Sequence, residues 1–435
     1  MHQECKYLII GSGIAGYYCL KELLTVDPDS KIIMVSSDRE PPYDRPPLSK
    51  DYLSGKVSRE AVFFNEREYK GPNLELMLGR EIISLDPKRK LAFLIHEGTW
   101  PPDITRWDWE SPSSAIFDRI HFDKALIATG VRPRMLGVKG EDMAGIHYLR
   151  SIRDADAIRR DVASSKSPLV VGAGFIGVEA ASSLIRLGLK PIIIERNAYI
   201  WSTLVDRAVS DIIRRQLEER GMTFILNDGV RYFSGGNRVE RAVTSSGREI
   251  AADFVLIAAG VLPNIEVAAN SGIIPERGIP VDRHLRTQYG DIYAAGDIAD
   301  IDNPATGERE HIEHWNKAEY TGRLAARNMY GMEQPYGFLS TIWSDILDLH
   351  IESAGNTSRY DRYIMRGNPD SASFAVVYIK GGAVSGYLAI NRDNNELKAL
   401  NGLISSGADI SGKDSLIMNE LHDPNELMDK RGVAV

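Results

Sequence analysis

The chain has 435 residues, 43% of them hydrophobic and 26% charged, with a formal net charge of −8. This is the composition of a globular protein with a large core, and the length suits two to four domains. The acidic balance, without a long basic run, excludes nucleic acid as a default partner. No apolar stretch reaches about 18 residues, so no transmembrane segment is expected.

The residues Met1-His2-Gln3-Glu4-Cys5 lead at once into the apolar run Tyr7-Leu8-Ile9-Ile10, so no signal peptide is expected. Cys5 and Cys19 are the only cysteines. They form no zinc spacing, no C-x-x-C and no disulfide framework, so both read as small buried residues in a cytoplasmic protein. After Ile10 comes Gly11-Ser12-Gly13-Ile14-Ala15-Gly16, a G-x-G-x-x-G, then a helical pattern through Leu20, Leu23 and Leu24, then a second apolar run ending near Ser36, Ser37 and Asp38. Strand, glycine turn, helix, strand and an acid form the context in which this motif indicates a dinucleotide site. Gly11 makes the tight turn, Gly13 admits a pyrophosphate, and Gly16 lets helix and strand pack closely. The phosphates then meet the free N–H groups of a helix N-terminus.

The loop Pro41-Pro42-Tyr43-Asp44-Arg45-Pro46-Pro47-Leu48-Ser49-Lys50 is stiffened by four prolines and presents two cations, Arg45 and Lys50. Ser58 to Tyr69 reads as helical, and Leu74 to Leu78, Arg80 to Leu85 and Lys90 to Ile95 read as strands. Gly98 to Phe117, with Trp100, Trp107 and Trp109 among prolines and acids, reads as an excursion on a hairpin. It is either a satellite cluster under a loop or an association surface. A buried strand then ends in the small-residue turn Ala128-Thr129-Gly130.

A second G-x-G-x-x-G follows: Gly172-Ala173-Gly174-Phe175-Ile176-Gly177 after Leu169-Val170-Val171, with its helix and a second strand ending at Glu195. Two complete units in one chain imply two dinucleotides. Phe254 to Gly260 repeats the earlier strand and turn, and Ile292 to Asp297 is a strand reaching an acid. The second unit is therefore expected to be inserted in the first. Lys317 to Met329 is helical by spacing. From about Pro335 short alternating segments and two further helices suggest a small α+β domain. The expected fold is α/β: two Rossmann-like domains, the second inserted in the first, plus a C-terminal α+β domain. The expected boundaries are 1–130 with 251–330, then 131–250, then 331–435. No metal site is expected, because His311 and His314 lack a spaced third ligand, and Asp297, Asp300 and Asp302 lack the glycine and glutamate of a calcium loop.

The motifs GSGIAG, PYDRPPLSK, ATGVRPR, VVGAGFIGVEAA with Glu195, YAAGDIAD, IEHWNKAEYTGRLAARNM and Trp343-Ser344-Asp345 occur in that order between Ile9 and about Glu352. In this set the chain resembles the FAD-dependent pyridine-nucleotide oxidoreductases of the ferredoxin-reductase type. These include putidaredoxin reductase, monodehydroascorbate reductase and the oxidoreductase region of apoptosis-inducing factor. The resemblance implies FAD in the first unit, held by Ile10 to Gly16, Arg45, Lys50, Thr129, Gly130, Arg134, Gly296, Asp297, Glu313, His314 and Trp315, with Ile82 matching more loosely. It implies NAD(P)H in the second, with Gly172, Gly174, Phe175, Ile176, Gly177, Glu195, Arg196 and Gly260 around it; the Glu195 carboxylate, able to accept from a ribose 2′-OH, favours NADH over NADPH, and Arg196 argues the other way. Trp343 and Glu352 would come from the third domain. Lys50 and Glu179 would pair beside the reacting edge and act with Trp343 in catalysis.

One departure from the family pattern lies in the first unit, where the usual place of the ribose acid holds Ser37 and the acid is Asp38. Either Asp38 reaches the ribose, or Ser37 substitutes with a weaker neutral bond. The helix starting near Asn316 would aim its N-terminus at the negative charge of reduced flavin. With no cysteine past Cys19, a dithiol relay is excluded and electrons leave from the flavin itself. The expected acceptor is a ferredoxin- or rubredoxin-like iron–sulfur protein. A quinone, oxygen or monodehydroascorbate are alternatives, as is a redox-sensing interaction role like that of apoptosis-inducing factor; a homodimer is compatible with any of them. Arg80, Lys88, Arg89 and Lys90 are the sequence's best candidates for a basic patch that steers an acidic partner.

Overall fold

The computed structural model describes residues 2–96, 118–303 and 308–428. The excursion expected over Gly98 to Phe117 lies outside the described residues. The chain forms two units: Met1–Asp44, Arg59–Arg132 and Val261–Phe338 make one, and Arg45–Ser58, Pro133–Gly260 and Leu339–Val435 make the other.

In the first unit the apolar run read at Tyr7 becomes the strand His2–Ile10. Parallel ladders set Tyr7 opposite Ile32 in Ile32–Ser36, and Ile10 opposite Ile127 in Asp118–Ile127. Leu74–Leu78 extends the sheet on one side and Ile292–Ala294 pairs parallel with Asp118–Ile127 on the other. Leu91–His96 and Arg80–Asp86 add antiparallel strands. Every residue of Ile32–Ser36 is buried, as expected for parallel strands covered on both faces, and this is why the run reads as continuously apolar rather than alternating. The helices Ile14–Val26 and Trp315–Tyr330 pack on this sheet closely enough that a Cβ at Gly322 would stand 2.3 Å from the Ala15 carbonyl oxygen. Ser58 to Tyr69 is not an α-helix. It forms two 3₁₀ turns, Glu60–Val62 and Glu66–Glu68, because a single turn's worth of bonds suffices between the fixed ends of this segment and little apolar periodicity favours more.

In the second unit the strands Thr223–Ile225, Ile192–Ile194, Pro168–Val171, Phe254–Ile257 and Ile146–Tyr148 form a five-stranded parallel sheet in that order. A three-stranded antiparallel sheet (Val230–Gly235, Val239–Thr244, Glu249–Ala251) packs into the same core. The C-terminal part is a five-stranded antiparallel sheet with the helices Asn394–Ser406 and Asp414–Met418. Arg45–Ser58, although flanked in sequence by the first unit, belongs to the second.

Candidate functional site

The two glycine turns are near copies of each other. Gly11 and Gly172 have φ of 108° and 105°, values that favour glycine strongly. A Cβ on either would meet a carbonyl oxygen, of Ala128 or Ala258, at 2.3 Å. A Cβ on Gly16 would lie 2.0 Å from the Gly11 oxygen, and one on Gly177 the same distance from the Gly172 oxygen. The helices Ile14–Val26 and Phe175–Arg186 are capped by Gly13 and Gly174 in extended backbone. Neither has a side-chain cap or an acid in its first turn. The N–H groups at both helix starts are thus left for an anion, and a Cβ at Gly174 would meet nothing within 4 Å. Both cradles suit the pyrophosphate of a dinucleotide.

The likeness of the turns also locates the acids. Gly11 N–H donates to Val35 O and Gly172 N–H to Ile194 O, each at 2.8 Å. Val35 therefore corresponds to Ile194, and the position equivalent to Glu195 is Ser36, not Ser37 or Asp38. Ser36 Oγ bonds Ser12 Oγ at 2.8 Å. The Asp38 carboxylate accepts from Glu40 N–H at 3.1 Å and Tyr43 O–H at 2.8 Å, one bond on each oxygen. In the second unit Glu195 accepts from Ala173 N–H and Asn197 N–H, both at 2.8 Å. The carboxylate is fixed at the strand end with one lone pair per oxygen to spare. Arg196 beside it is exposed, and Phe175 stacks on Trp201 at 4.7 Å between centroids.

The other expected contacts of the first unit lie on its turns. Thr129 Oγ1 donates to Asn264 O and Asn264 Nδ2 to Thr129 O, each at 2.8 Å, beside Gly130. Ile82 is buried in the main core. Gly296, with φ 77°, donates its N–H to Thr321 Oγ1 at 3.0 Å and opens the 3₁₀ turn that carries Asp297. Trp315 Nε1 donates to Asp44 at 2.8 Å. His314 caps the helix Trp315–Tyr330, and Glu313 before it is exposed. Desolvation, helped by the charge of Lys317, pulls the His314 imidazole down to about 4, so it is neutral at physiological pH.

Within the second unit, Lys50 Nζ lies 3.2 Å from Glu179 Oε1, and the two side chains are 10% and 9% exposed. Two serines complete a cradle that sequence reasoning did not find. Ser344 Oγ donates to Glu179 Oε1 and Ser49 Oγ to Oε2, each at 2.6 Å. Ser183 Oγ ties the Ser49 carbonyl down at 2.8 Å. Lys50 Nζ also stands 4.2 Å from the centroid of the Trp343 ring, a cation–π distance. Trp343 is 39% exposed and faces Glu352 across its strand pair, where Glu352 accepts from Tyr387 O–H at 2.6 Å. Arg45 reaches the Arg150 carbonyl at 3.4 Å, Tyr52 bonds Asp156, and Arg159 stacks on Tyr52 at 4.5 Å. These contacts hold the proline-rich strap in place. Arg134 is exposed, its N–H donating to Gly260 O at 2.9 Å.

The cations suggested as a steering patch are largely neutralised: Arg80 pairs with Asp118, Arg89 with Asp86 at 3.6 Å and Lys90 with Asp291 at 2.7 Å. Paired surface charges add little to a long-range field.

A family model for pyridine nucleotide-disulphide oxidoreductases matches residues 5–322, and one for the reductase C-terminal domain matches residues 341–421. The chain belongs to the pyridine nucleotide-disulphide oxidoreductase family. Over 394 residues it is 30% identical to rhodocoxin reductase of Rhodococcus erythropolis, covering 90% of this chain and 88% of that one. Over 375 residues it is 29% identical to the rubredoxin-NAD(+) reductase of Ectopseudomonas oleovorans, covering 86% and 92%. The crystal structure of the ferredoxin reductase for the CYP199A2 system from Rhodopseudomonas palustris superposes with a TM-score of 0.86 at 25% identity, over 97% of this chain and 99% of that one. The disulphide of the family name has no counterpart in this member. Cys5 and Cys19 are both free and buried, and burial pushes both thiols up, which makes them poor nucleophiles. Among the described residues no helix is long and apolar enough to cross a membrane.

Proposed function

We infer that this protein is an FAD-dependent oxidoreductase that accepts a hydride from NADH and passes electrons to a small iron–sulfur protein of the ferredoxin or rubredoxin type. The observation that carries this is the pair of matched glycine cradles in a chain with no cysteine beyond Cys19: two dinucleotides and no dithiol to relay electrons between them and an acceptor. FAD, when bound, supplies the chemistry of taking a hydride and giving electrons up singly. The division of labour proposed is FAD on residues 1–130 with 251–330, nicotinamide nucleotide on 131–250, and a supporting third domain over 331–435.

The protein's own part is positioning and electrostatics. The first cradle takes the FAD pyrophosphate, with Asp297, His314 and Trp315 on the turns beside it. A neutral His314 can donate or accept a hydrogen bond without adding charge. Glu195 is placed to accept from the ribose hydroxyls of NADH, and Lys50, held by Glu179, supplies a fixed ammonium. Relatives named as rhodocoxin and rubredoxin-NAD(+) reductases support a protein acceptor. Free buried thiols suit a reducing compartment such as the cytoplasm.

Steady-state oxidation of NADH by the purified, flavin-loaded protein tests this against ferredoxin, rubredoxin, a quinone, monodehydroascorbate and oxygen. Turnover is expected to be fastest with an iron–sulfur protein. Fast turnover with quinone alone would overturn the protein-partner reading.

Nucleotide choice follows from Glu195. A 2′-phosphate at about 4 Å from its carboxylate costs roughly 4 kcal/mol at an effective dielectric near 20, and solvent access about halves this. The exposed guanidinium of Arg196 opposes the effect but is not fixed by a partner among the described residues, whereas both Glu195 oxygens are. The expected result is a kcat/KM for NADH about 30-fold above that for NADPH. Equal values would count against the placement of the ribose at Glu195.

A further inference from the structure

Lys317 sits in the first turn of the helix Trp315–Tyr330 and is 0% exposed. Its Nζ donates to the Ala299 carbonyl at 3.3 Å and the Ile312 carbonyl at 3.1 Å. Among the described residues no carboxylate lies within ion-pair distance of it. A buried ammonium without an ion pair is costly, and a cation at a helix N-terminus also opposes the helix dipole. Neither cost is explained by packing, since a methionine fills a similar volume.

The two carbonyls show what the side chain connects. Ala299 directly follows the 3₁₀ turn Gly296–Ile298, which carries Asp297. Ile312 lies two residues before His314. Asp297, Asp300, Glu310 and Glu313 set a negative field around the ammonium, and burial outweighs it, drawing Lys317 down to about 8. Arg277 and Arg309 are both engaged with buried Asp300, at 3.1 Å each. His311 and His314 are held toward the neutral form by burial and by Lys317 itself. Lys317 is therefore the charge in this cluster that changes most readily between about pH 7 and 9.

We propose that Lys317 is a positioning residue of the flavin site that joins the Asp297 turn to the His314 loop and, while protonated, makes the flavin easier to reduce. The proposal rests on the reading that the first unit binds FAD through these two segments. Reduced flavin carries added negative charge, and a buried ammonium nearby stabilises it. The sign follows. Below about 8 the charge is present and reduction is favoured; above it the charge is lost and the potential falls.

The test is anaerobic reduction of the holoprotein against a reference dye, from about pH 6.5 to about 9.5, for wild type, Lys317→Met and Lys317→Arg. Wild type should show a break in potential near pH 8. Lys317→Met should lose the break and, at neutral pH, lower the equilibrium constant for flavin reduction at least about threefold, as one buried charge at an effective dielectric near 20 would. Lys317→Arg should keep the neutral-pH potential and also lose the break, because guanidinium does not titrate there. Coincident curves for wild type and Lys317→Met overturn the proposal. If Lys317→Met does not retain flavin, a break near pH 8 common to wild type and Lys317→Arg overturns it instead. Wild-type protein that binds no flavin at all overturns the FAD reading itself, a different outcome.

Discussion

Glu179→Ala is expected to slow reduction of the bound flavin by NADH on the order of 100-fold while leaving FAD bound. The carboxylate accepts from Ser344 and Ser49 and pairs with the Lys50 ammonium in a space almost closed to water. Removing it strands an ammonium and two hydroxyls, and breaking a buried pair of this kind costs about 3–5 kcal/mol. Part of that cost is recovered as Lys50 swings toward solvent or against the Trp343 ring, which displaces the ammonium from its fixed position. A loss of about 3 kcal/mol of transition-state stabilisation corresponds to about 100-fold in rate. FAD retention should change little, because the pyrophosphate cradle at Gly11 to Gly16 lies in the other unit. Stopped-flow absorbance separates the two quantities. Equal reduction rates in wild type and variant would remove Glu179 from the reaction.

Arg366→Met should destabilise the C-terminal domain by about 3 kcal/mol. Arg366 is 2% exposed and its guanidinium donates to four carbonyls, those of Ile417, Asn419, Glu420 and His422, at 2.8, 2.5, 3.2 and 3.0 Å. Its Nε stands 3.1 Å from Glu396, an electrostatic contact without good hydrogen-bond alignment. Asn419 and Glu420 are exposed, so water can replace the arginine there, but the Ile417 carbonyl at the end of the helix Asp414–Met418 cannot be rehydrated so easily. Glu396 keeps Arg392 as a partner at 2.6 Å, which limits the loss. Urea unfolding measures the change, and limited proteolysis should cut near Asn419 first. Arg366→Lys should not restore stability, since an ammonium cannot reach four carbonyls from one fixed position; wild-type stability in that variant would refute the account.

Much of the fold is legible because it is written in local constraints. A glycine whose Cβ would collide with a carbonyl at 2.0 Å cannot be another residue without rearrangement, so both turns announce themselves. Buried parallel strands announce themselves as unbroken apolar runs. What escapes is anything fixed by register or by a distant partner. The bond from each glycine turn makes Ser36 the positional counterpart of Glu195, an equivalence that no residue count shows. Ser49 and Ser344 have no spacing signal, although each adjoins a residue that does, Lys50 and Trp343. Lys317 reads as an ordinary helical position because periodicity reports the face a residue occupies, not what its amine lies under. Arg80 and Lys90 look like free cations because their partners, Asp118 and Asp291, are far away in sequence.

The strap Arg45–Ser58 has a consequence for how this chain can be cut. The residues on either side of it belong to the first unit, where Asp44 N–H donates to Val62 O at 2.9 Å and Tyr43 bridges Phe63; within the second unit it delivers Ser49 and Lys50 to Glu179. A fragment spanning only 133–260 would therefore fold, if at all, with a buried carboxylate lacking Ser49, Lys50 and Ser344, all of which lie outside it. The segment 133–260 is contiguous in sequence but not self-sufficient in chemistry. Gene fusions and domain exchanges that respect the glycine motifs alone would produce a protein with an intact second cradle and an orphaned acid beside it, so a workable graft has to carry the strap and the Trp343–Ser344 strand along with it.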